Sequence, residues 1–414
     1  EHNARMFFKK QRIYLDYASA TPVRTEARRA YDEASELAGN AGTIHSEGVA
    51  AANSLRESRE SIASELGCKA REVIFTAGLT EANNLAILGF ARALEIAGRD
   101  LKETHWVVSS IEHPSVLECF GEVERKGGAI TFVEPEPNGR IAPEKLERAL
   151  QPNTVFVSIG WANSEIGTIQ KLRALASVIH DHPVRETSPS NGAGEKKQRG
   201  KIIFHSDAGQ APLYLAPNVH TLDVDLLSIG SGKLYGPRGI GALYVGRRAD
   251  IAPVIIGGAQ ERGLRAGTEA PALAAGFAAA LAALADERRN ESQRVEKLRD
   301  TLADRLKKEI PGIVVNGDLK HSLPHMLNIS IPDISSEYLI LALDLAGISL
   351  STKAACSEGE VGASHVVAAL ISDTEKKDWR SQNTLRFSLG RETKMKDVEY
   401  AVSTLVALLK TLPK

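Results

Sequence analysis

Residues 202–210 read Ile202-Ile203-Phe204-His205-Ser206-Asp207-Ala208-Gly209-Gln210, an apolar run that stops at a hydroxyl, a carboxylate, a glycine and an amide. A short apolar run bounded by turn residues reads as a buried strand, and a strand buried on both faces belongs to a parallel sheet covered by helices. The same signature recurs at 72–76, 106–109, 130–133, 155–159, 226–229 and 242–245, with helical patterns between. One of these follows His45, where Leu55, Ile62 and Leu66 keep helical spacing on a polar background. Strands alternating with helices predict an α/β domain over 15–267, built on a mostly parallel sheet with flanking helices.

Beyond Gly267 the rhythm changes. Val295, Leu298, Leu302 and Leu306 stripe one long helix, followed by a strand at 326–331, a helix at 336–345, a strand at 384–389 and a terminal helix carrying Val398, Val402, Leu405 and Leu409. These predict a smaller α+β C-terminal domain made of residues 1–14 and 268–414. Two polar stretches, 182–201 and 372–382, read as exposed insertions, the first inside the large domain.

At 414 residues the chain exceeds what one hydrophobic core comfortably serves, and its 43% apolar content is that of a globular protein. Basic and acidic side chains, 51 and 52, are mixed along the chain and give a net charge of -1, which leaves no electrostatic footprint for nucleic acid. The longest apolar run, 270–285, is alanine-rich, carries Pro271 and is shorter than the roughly 20 residues a bilayer span needs. The N-terminus lacks the basic flank and apolar core of a secretory signal, so a cytoplasmic location is expected, with no membrane contact. Three cysteines, Cys68, Cys119 and Cys356, form neither a disulfide framework nor a zinc spacing. At least one thiol is free.

The chemistry concentrates at strand ends. Asp207 stands at the carboxyl edge of its strand, where α/β sheets hold ligands. Ser231-Gly232-Lys233-Leu234-Tyr235-Gly236-Pro237 follows the 226–229 strand, and without the Ser/Thr and first glycine of a nucleotide P-loop it is no such loop. Alone, Lys233 would be a solvated turn lysine and Asp207 a cap. Together they meet the needs of pyridoxal phosphate (PLP), which takes a lysine as Schiff-base partner and an acid to keep its ring nitrogen protonated. After the 72–76 strand, Ala77-Gly78-Leu79-Thr80 supplies a glycine turn and a helix start, suited to a phosphate or to a plain N-cap. His113, ahead of Pro114, is a helix cap or a ring able to stack on a flat cofactor. Cys356 lies beyond two alanines and before a polar stretch, 357–364, which predicts a mobile loop; Cys68 and Cys119 read as buried residues of amphipathic helices.

An ordered set of motifs resembles the cysteine desulfurases of the class V aminotransferase group, in particular the branch with the longer cysteine loop. The matching stretches include Tyr14-Leu15-Asp16-Tyr17-Ala18, Ile44-His45-Ser46-Glu47-Gly48, Glu112-His113, Glu165-Ile166-Gly167, Asp207 to Gln210 and Lys233 to Gly239. Further matches are Arg265-Ala266-Gly267-Thr268, Ala355-Cys356-Ser357 and Arg386-Phe387-Ser388-Leu389-Gly390-Arg391, so the resemblance spans nearly the whole chain. It implies the PLP-dependent transferase fold type I. It also implies a catalytic trio: Lys233 joined to PLP, His113 stacked on its ring, and Cys356 on a loop at about 352–364 receiving sulfur as a persulfide. Asp207 would pair with the ring nitrogen and Gln210 with its hydroxyl, while Leu79, Thr80 and Ser231 would line the phosphate end. Thr268 would reach the phosphate of a second subunit, which implies a homodimer. Arg386 would clamp the carboxylate of L-cysteine, with Asn163 and Ser164 beside it.

Two departures stand out. Gly232 replaces the histidine that usually precedes the lysine, and Ser164 replaces an asparagine that usually helps bind substrate carboxylate. The expected reaction turns L-cysteine into L-alanine and passes sulfur to an acceptor, an iron-sulfur scaffold or a tRNA-thiolation enzyme. A selenocysteine lyase or another class V enzyme on the same scaffold is the alternative, and a weakly catalytic scaffold protein a more distant one.

Overall fold

A computed structural model describes residues 12–183, 201–352, 363–371 and 379–411. Cys356 lies outside the described residues, as do most of the polar stretches expected at 182–201 and 372–382. Among the described residues, no helix is long and apolar enough to cross a membrane.

All seven strands expected in the large domain form, and they make one sheet in the order Val73–Thr76, Gly241–Val245, Leu226–Gly230, Ile203–Asp207, Thr154–Ser158, His105–Ser109, Ala129–Val133. Six run in one direction and Gly241–Val245 runs against both of its neighbours. Successive side chains go to opposite faces, which is why a continuous apolar run was needed. Val107, Val157, Phe204 and Leu227 enter one core, while Trp106, Val108, Phe156, Ile203 and Leu226 enter the core on the other face.

A second core gathers Leu302, Leu306, Leu327, Leu339, Leu385, Phe387 and Val402 around the three-stranded sheet of Thr384–Ser388, Met326–Ser330 and Val314–Val315. The helix Pro271–Glu309 serves both: Ala274, Phe277, Leu281 and Leu284 pack in the large core, Val295, Leu298 and Leu302 in the small one. A boundary drawn after Gly267 therefore precedes a helix that belongs to both halves. The N-terminal stretch also joins them, since Ile13–Tyr14 pairs in parallel with Ile348–Ser349 and Leu15 is buried in the small core, whereas Tyr17 and Ala18 belong to the large one.

Cys119 takes the place expected of a small buried residue, while Cys68 is only partly buried and lies outside its helix. Cys119 is buried within the helix Pro114–Arg125, but Cys68 lies in the turn just past Gly67, which caps the helix Ser46–Leu66 in the left-handed conformation that glycine adopts without strain. Burial pushes both thiols up to about 12, so neither is a ready thiolate near neutral pH.

Candidate active site

The turns that leave five of the aligned strands converge on a cavity of about 620 Å³. Each turn contributes: Gly78, Leu79 and Thr80 after Val73–Thr76; Glu112 and His113 after His105–Ser109; Asn163 and Ser164 after Thr154–Ser158; Gln210 after Ile203–Asp207; Lys233 after Leu226–Gly230. Asp207, the last residue of its strand, and Arg386, from the small sheet, complete the wall. This is the carboxyl edge of an α/β sheet, where strand ends leave room and helix starts face inward.

Lys233 is held by short bonds from Nζ to the carbonyl oxygens of Ala18 (2.6 Å) and Ser19 (2.8 Å). Gln210 donates Nε2 to the same Ala18 carbonyl at 2.8 Å, and its Oε1 is buried with no partner. A buried acceptor without a donor costs free energy unless something binds there. Asp207 is buried and takes hydrogen bonds on both oxygens, from Asn83 Nδ2 to Oδ2 (2.7 Å) and from the Gly209 amide to Oδ1 (2.8 Å).

His113 caps the helix Pro114–Arg125 by accepting the Ser115 N–H at Nδ1 (3.1 Å), so the neutral ring carries its proton on Nε2. Burial holds this imidazole below its usual value, against the pull of Asp207 and with a further push from Lys233. Beside it, Glu112 is fully enclosed, accepts the Gly160 N–H at 2.8 Å, and is pushed up to about 8 by burial. A neutral ring and a neutral carboxyl thus flank the ionic groups.

The helix Leu79–Ile96 aims its first turn at the cavity, with no side chain capping its free N–H groups. Glycines below let it seat there: a Cβ on Gly230 would come within 2.9 Å of Leu79 Cβ, and one on Gly241 within 2.7 Å of the Gly78 carbonyl carbon. Such a helix start, with the Thr80 hydroxyl, suits a phosphate group. The donor set, the unpartnered Gln210 oxygen and the open helix start all fit PLP.

Arg386 is 1% exposed and reaches from the small sheet to the large domain. Its Nη1 donates to the Ser164 carbonyl (3.0 Å), and its Nη2 donates to Asp16 Oδ1 (2.8 Å) and Ser19 Oγ (2.7 Å), leaving Nε buried and unpartnered. Asn163 spends its amide locally, donating to the Ile111 carbonyl and accepting the Glu165 and Ile166 N–H groups. It shapes the wall. Two expected cofactor residues stand apart from the cavity. Ser231 is fully buried with its Oγ unpartnered, and Thr268 is exposed beside a separate pocket of about 150 Å³ shared with Arg265 and Glu261.

Sequence reasoning gave no role to Glu112, Asn83, Ser115 or Asp16, although Glu112 and Asp16 lay in quoted motifs. Their signal is geometric, because each acts on another side chain that only the fold brings near.

Both flanks of the cysteine segment end at this site. Ser351 pairs with Arg386 by main-chain bonds of 2.7 and 3.4 Å, while on the far side Ser364 Oγ donates to Glu165 (2.6 Å) and His365 Nε2 bonds the Glu112 carbonyl (3.0 Å).

A family model described as aminotransferase class-V matches residues 13–185 and 187–401. A cysteine desulfurase IscS from Dictyoglomus turgidum is 36% identical over 97% of this chain and 96% of its own length, and a mitosomal cysteine desulfurase from Encephalitozoon cuniculi is 34% identical over 97% and 88%. Among solved structures, a NifS-like protein superposes with a TM-score of 0.84 at 28% identity, covering 97% of this chain and 100% of that one. SspA in complex with cysteine superposes at 0.73 with 29% identity, covering 91% and 98%. The chain belongs to the class-V aminotransferase family and, within it, to the cysteine desulfurases.

Proposed function

We propose that this cavity binds PLP on Lys233 and L-cysteine against Arg386, and that sulfur leaves on Cys356. The observation that carries the reading is the convergence of Lys233, Asp207, His113, Gln210 and Arg386 on one cavity between the flanks of the cysteine segment. When bound, PLP supplies an electron sink for the substrate's Cα.

The protein's own groups do the rest. Asp207 would accept a hydrogen bond from the protonated ring nitrogen, on a carboxylate already oriented by two N–H donors. Gln210 Oε1 would accept a hydrogen bond from the ring hydroxyl, His113 would cover the ring face as a neutral imidazole, and the Leu79–Thr80 helix start would hold the phosphate end, with Ser231 buried outside the cavity. Lys233 Nζ would move the substrate Cα proton. Arg386 holds the substrate carboxylate beside Ser164 and Asn163. The Cys356 thiolate attacks the substrate sulfur: an S–S bond forms, the Cβ–S bond breaks with its electron pair going to Cβ, Cβ gains a proton, the Cα proton is restored, and alanine leaves. SspA was solved with cysteine bound, which supports the substrate. Thr268 serves the phosphate of a second copy in a homodimer, and the persulfide passes to an iron-sulfur scaffold or a tRNA-thiolation enzyme.

Two variants test it. Lys233→Ala should lose the visible band of the bound cofactor and turnover together, and normal turnover in that variant would sink the assignment. Cys356→Ser should keep the band and bind cysteine but release little sulfide; full sulfide release would point to a lyase that needs no protein thiol.

A further inference from the structure

We infer that Asn83 and Ser115 are positioning residues that tie the Asp207 carboxylate and the His113 ring into one hydrogen-bonded unit. The inference rests on the reading that PLP binds between those two groups, and extends it to residues that do not line the cavity.

Asn83 is fully buried, four residues into the helix Leu79–Ile96, and both of its amide hydrogens are committed. Nδ2 donates to Asp207 Oδ2 at 2.7 Å and to Ser115 Oγ at 2.9 Å. Ser115 Oγ in turn lies 2.8 Å from His113 Nδ1. The Ser115 backbone N–H already makes that nitrogen an acceptor, so the Ser115 hydroxyl accepts from Asn83 and donates toward His113. One chain of donors thus runs from the group at the ring's nitrogen edge to the group at its face.

The orientation of the amide is forced. Turning it over would set Oδ1 against the Asp207 carboxylate, two acceptors in contact. The orientation it keeps leaves Oδ1 buried without a partner, a cost that a residue serving only the core would escape as leucine. Asn83 does not itself line the cavity, and Ser115 lies half-buried behind His113. Both act through their neighbours.

Removing an N–H donor from a carboxylate strengthens its hold on a proton shared with a ring nitrogen, and that change propagates to the bound cofactor's colour. The experiment compares wild-type holoenzyme with Asn83→Ala, Ser115→Ala and the double variant. It reads the pH midpoint of the visible band and the PLP dissociation constant after reconstitution. The other charged groups facing His113, namely Lys233, Glu165 and His365, are unchanged in all four proteins.

Asn83→Ala is expected to raise the midpoint by at least about half a pH unit and the dissociation constant about fivefold or more. Ser115→Ala should move both in the same direction by less, and the double variant should match Asn83→Ala, because residues in one chain do not add. Unchanged midpoints, or shifts that add, would overturn the inference. Should Asn83→Ala fail to fold, Ser115→Ala decides alone, since it keeps the backbone N–H that caps the helix. A wild-type protein that takes up PLP without a visible band would refute the cofactor reading itself, a result distinct from a band that ignores both substitutions.

Discussion

Glu112 shows how one side chain can set the pH response of the fold. Its carboxyl is enclosed, with the Gly160 amide on Oε1 and Asp207 nearby, and it keeps its proton up to about 8 against an ordinary 4.5. Between those values the unfolded chain has lost this proton and the folded one has not, so rising pH favours unfolding, and the contribution stays lost above about 8. Glu112→Gln keeps an acceptor for Gly160 and removes the titration. Its thermal midpoint should match wild type near about pH 5 and exceed it near about pH 8.5, by an amount worth roughly 2–4 kcal/mol. Parallel pH profiles of the two proteins would refute the burial argument. None of this is legible in the sequence, where Glu112 is the residue before a conspicuous histidine. Lys233, Asp207 and His113 were legible as candidates because the chemistry proposed for them constrains residue type and strand-end position, whereas Arg386, in the middle of its strand, was legible only through the family resemblance. Glu112, Asn83 and Ser115 were not, because their work depends on which neighbour the sheet sets beside them.

At the scale of elements, the long strands and helices were readable because burial imposes a period over five or more residues, as in Ile203–Asp207 and Pro271–Glu309. Two-residue pairings such as Ile13–Tyr14 with Ile348–Ser349 carry no period and escaped. The junction of strand and helix around the Gly78 turn depends on a feature that composition also hides. A Cβ at Gly241 would meet the Gly78 carbonyl carbon at 2.7 Å and the Ile229 oxygen at 2.8 Å, both main-chain atoms that cannot swing aside. Gly241→Ala should therefore cost about 1–3 kcal/mol by overpacking and push the Gly78–Thr80 turn out of place. The affinity for PLP should fall about tenfold or more. Leu302→Ala, deep in the small core and away from that turn, is the control: it should lose about 2–5 kcal/mol yet bind PLP normally. Equal losses of PLP affinity in the two variants would mean that general destabilisation, and not the seat of the helix, governs binding.

Across the whole molecule, Arg386 is one of the side chains through which the small sheet acts on the large domain, alongside Asn328 and Ser388. It stands on the strand Thr384–Ser388, whose leucine and phenylalanine neighbours are core residues of the small half, yet its guanidinium ends on Ser164, Asp16 and Ser19 beside the cavity. Asp16 is itself carried by the segment that crosses from the small core at Leu15 to the large core at Tyr17. The ion pair thus joins the small sheet to the segment that crosses between the halves, and under the proposed clamp a substrate carboxylate would share or displace what Asp16 holds. Arg386→Lys tests that arrangement without leaving Asp16 facing an uncharged gap, since the ammonium keeps the charge but lacks the planar fork. Losing one charge-assisted bond of about 1.5–3 kcal/mol should raise KM for cysteine roughly 10- to 100-fold. The effect on kcat should be smaller, because the clamp acts on a carboxylate that does not react. The thermal midpoint should drop only modestly in the same variant, whereas Arg386→Ala, which strips Asp16 of its cation, should lower it further. Unaltered KM in the lysine variant, measured by alanine formation across cysteine concentrations, would show that the fork does not hold the substrate and that Arg386 serves only to join the two halves.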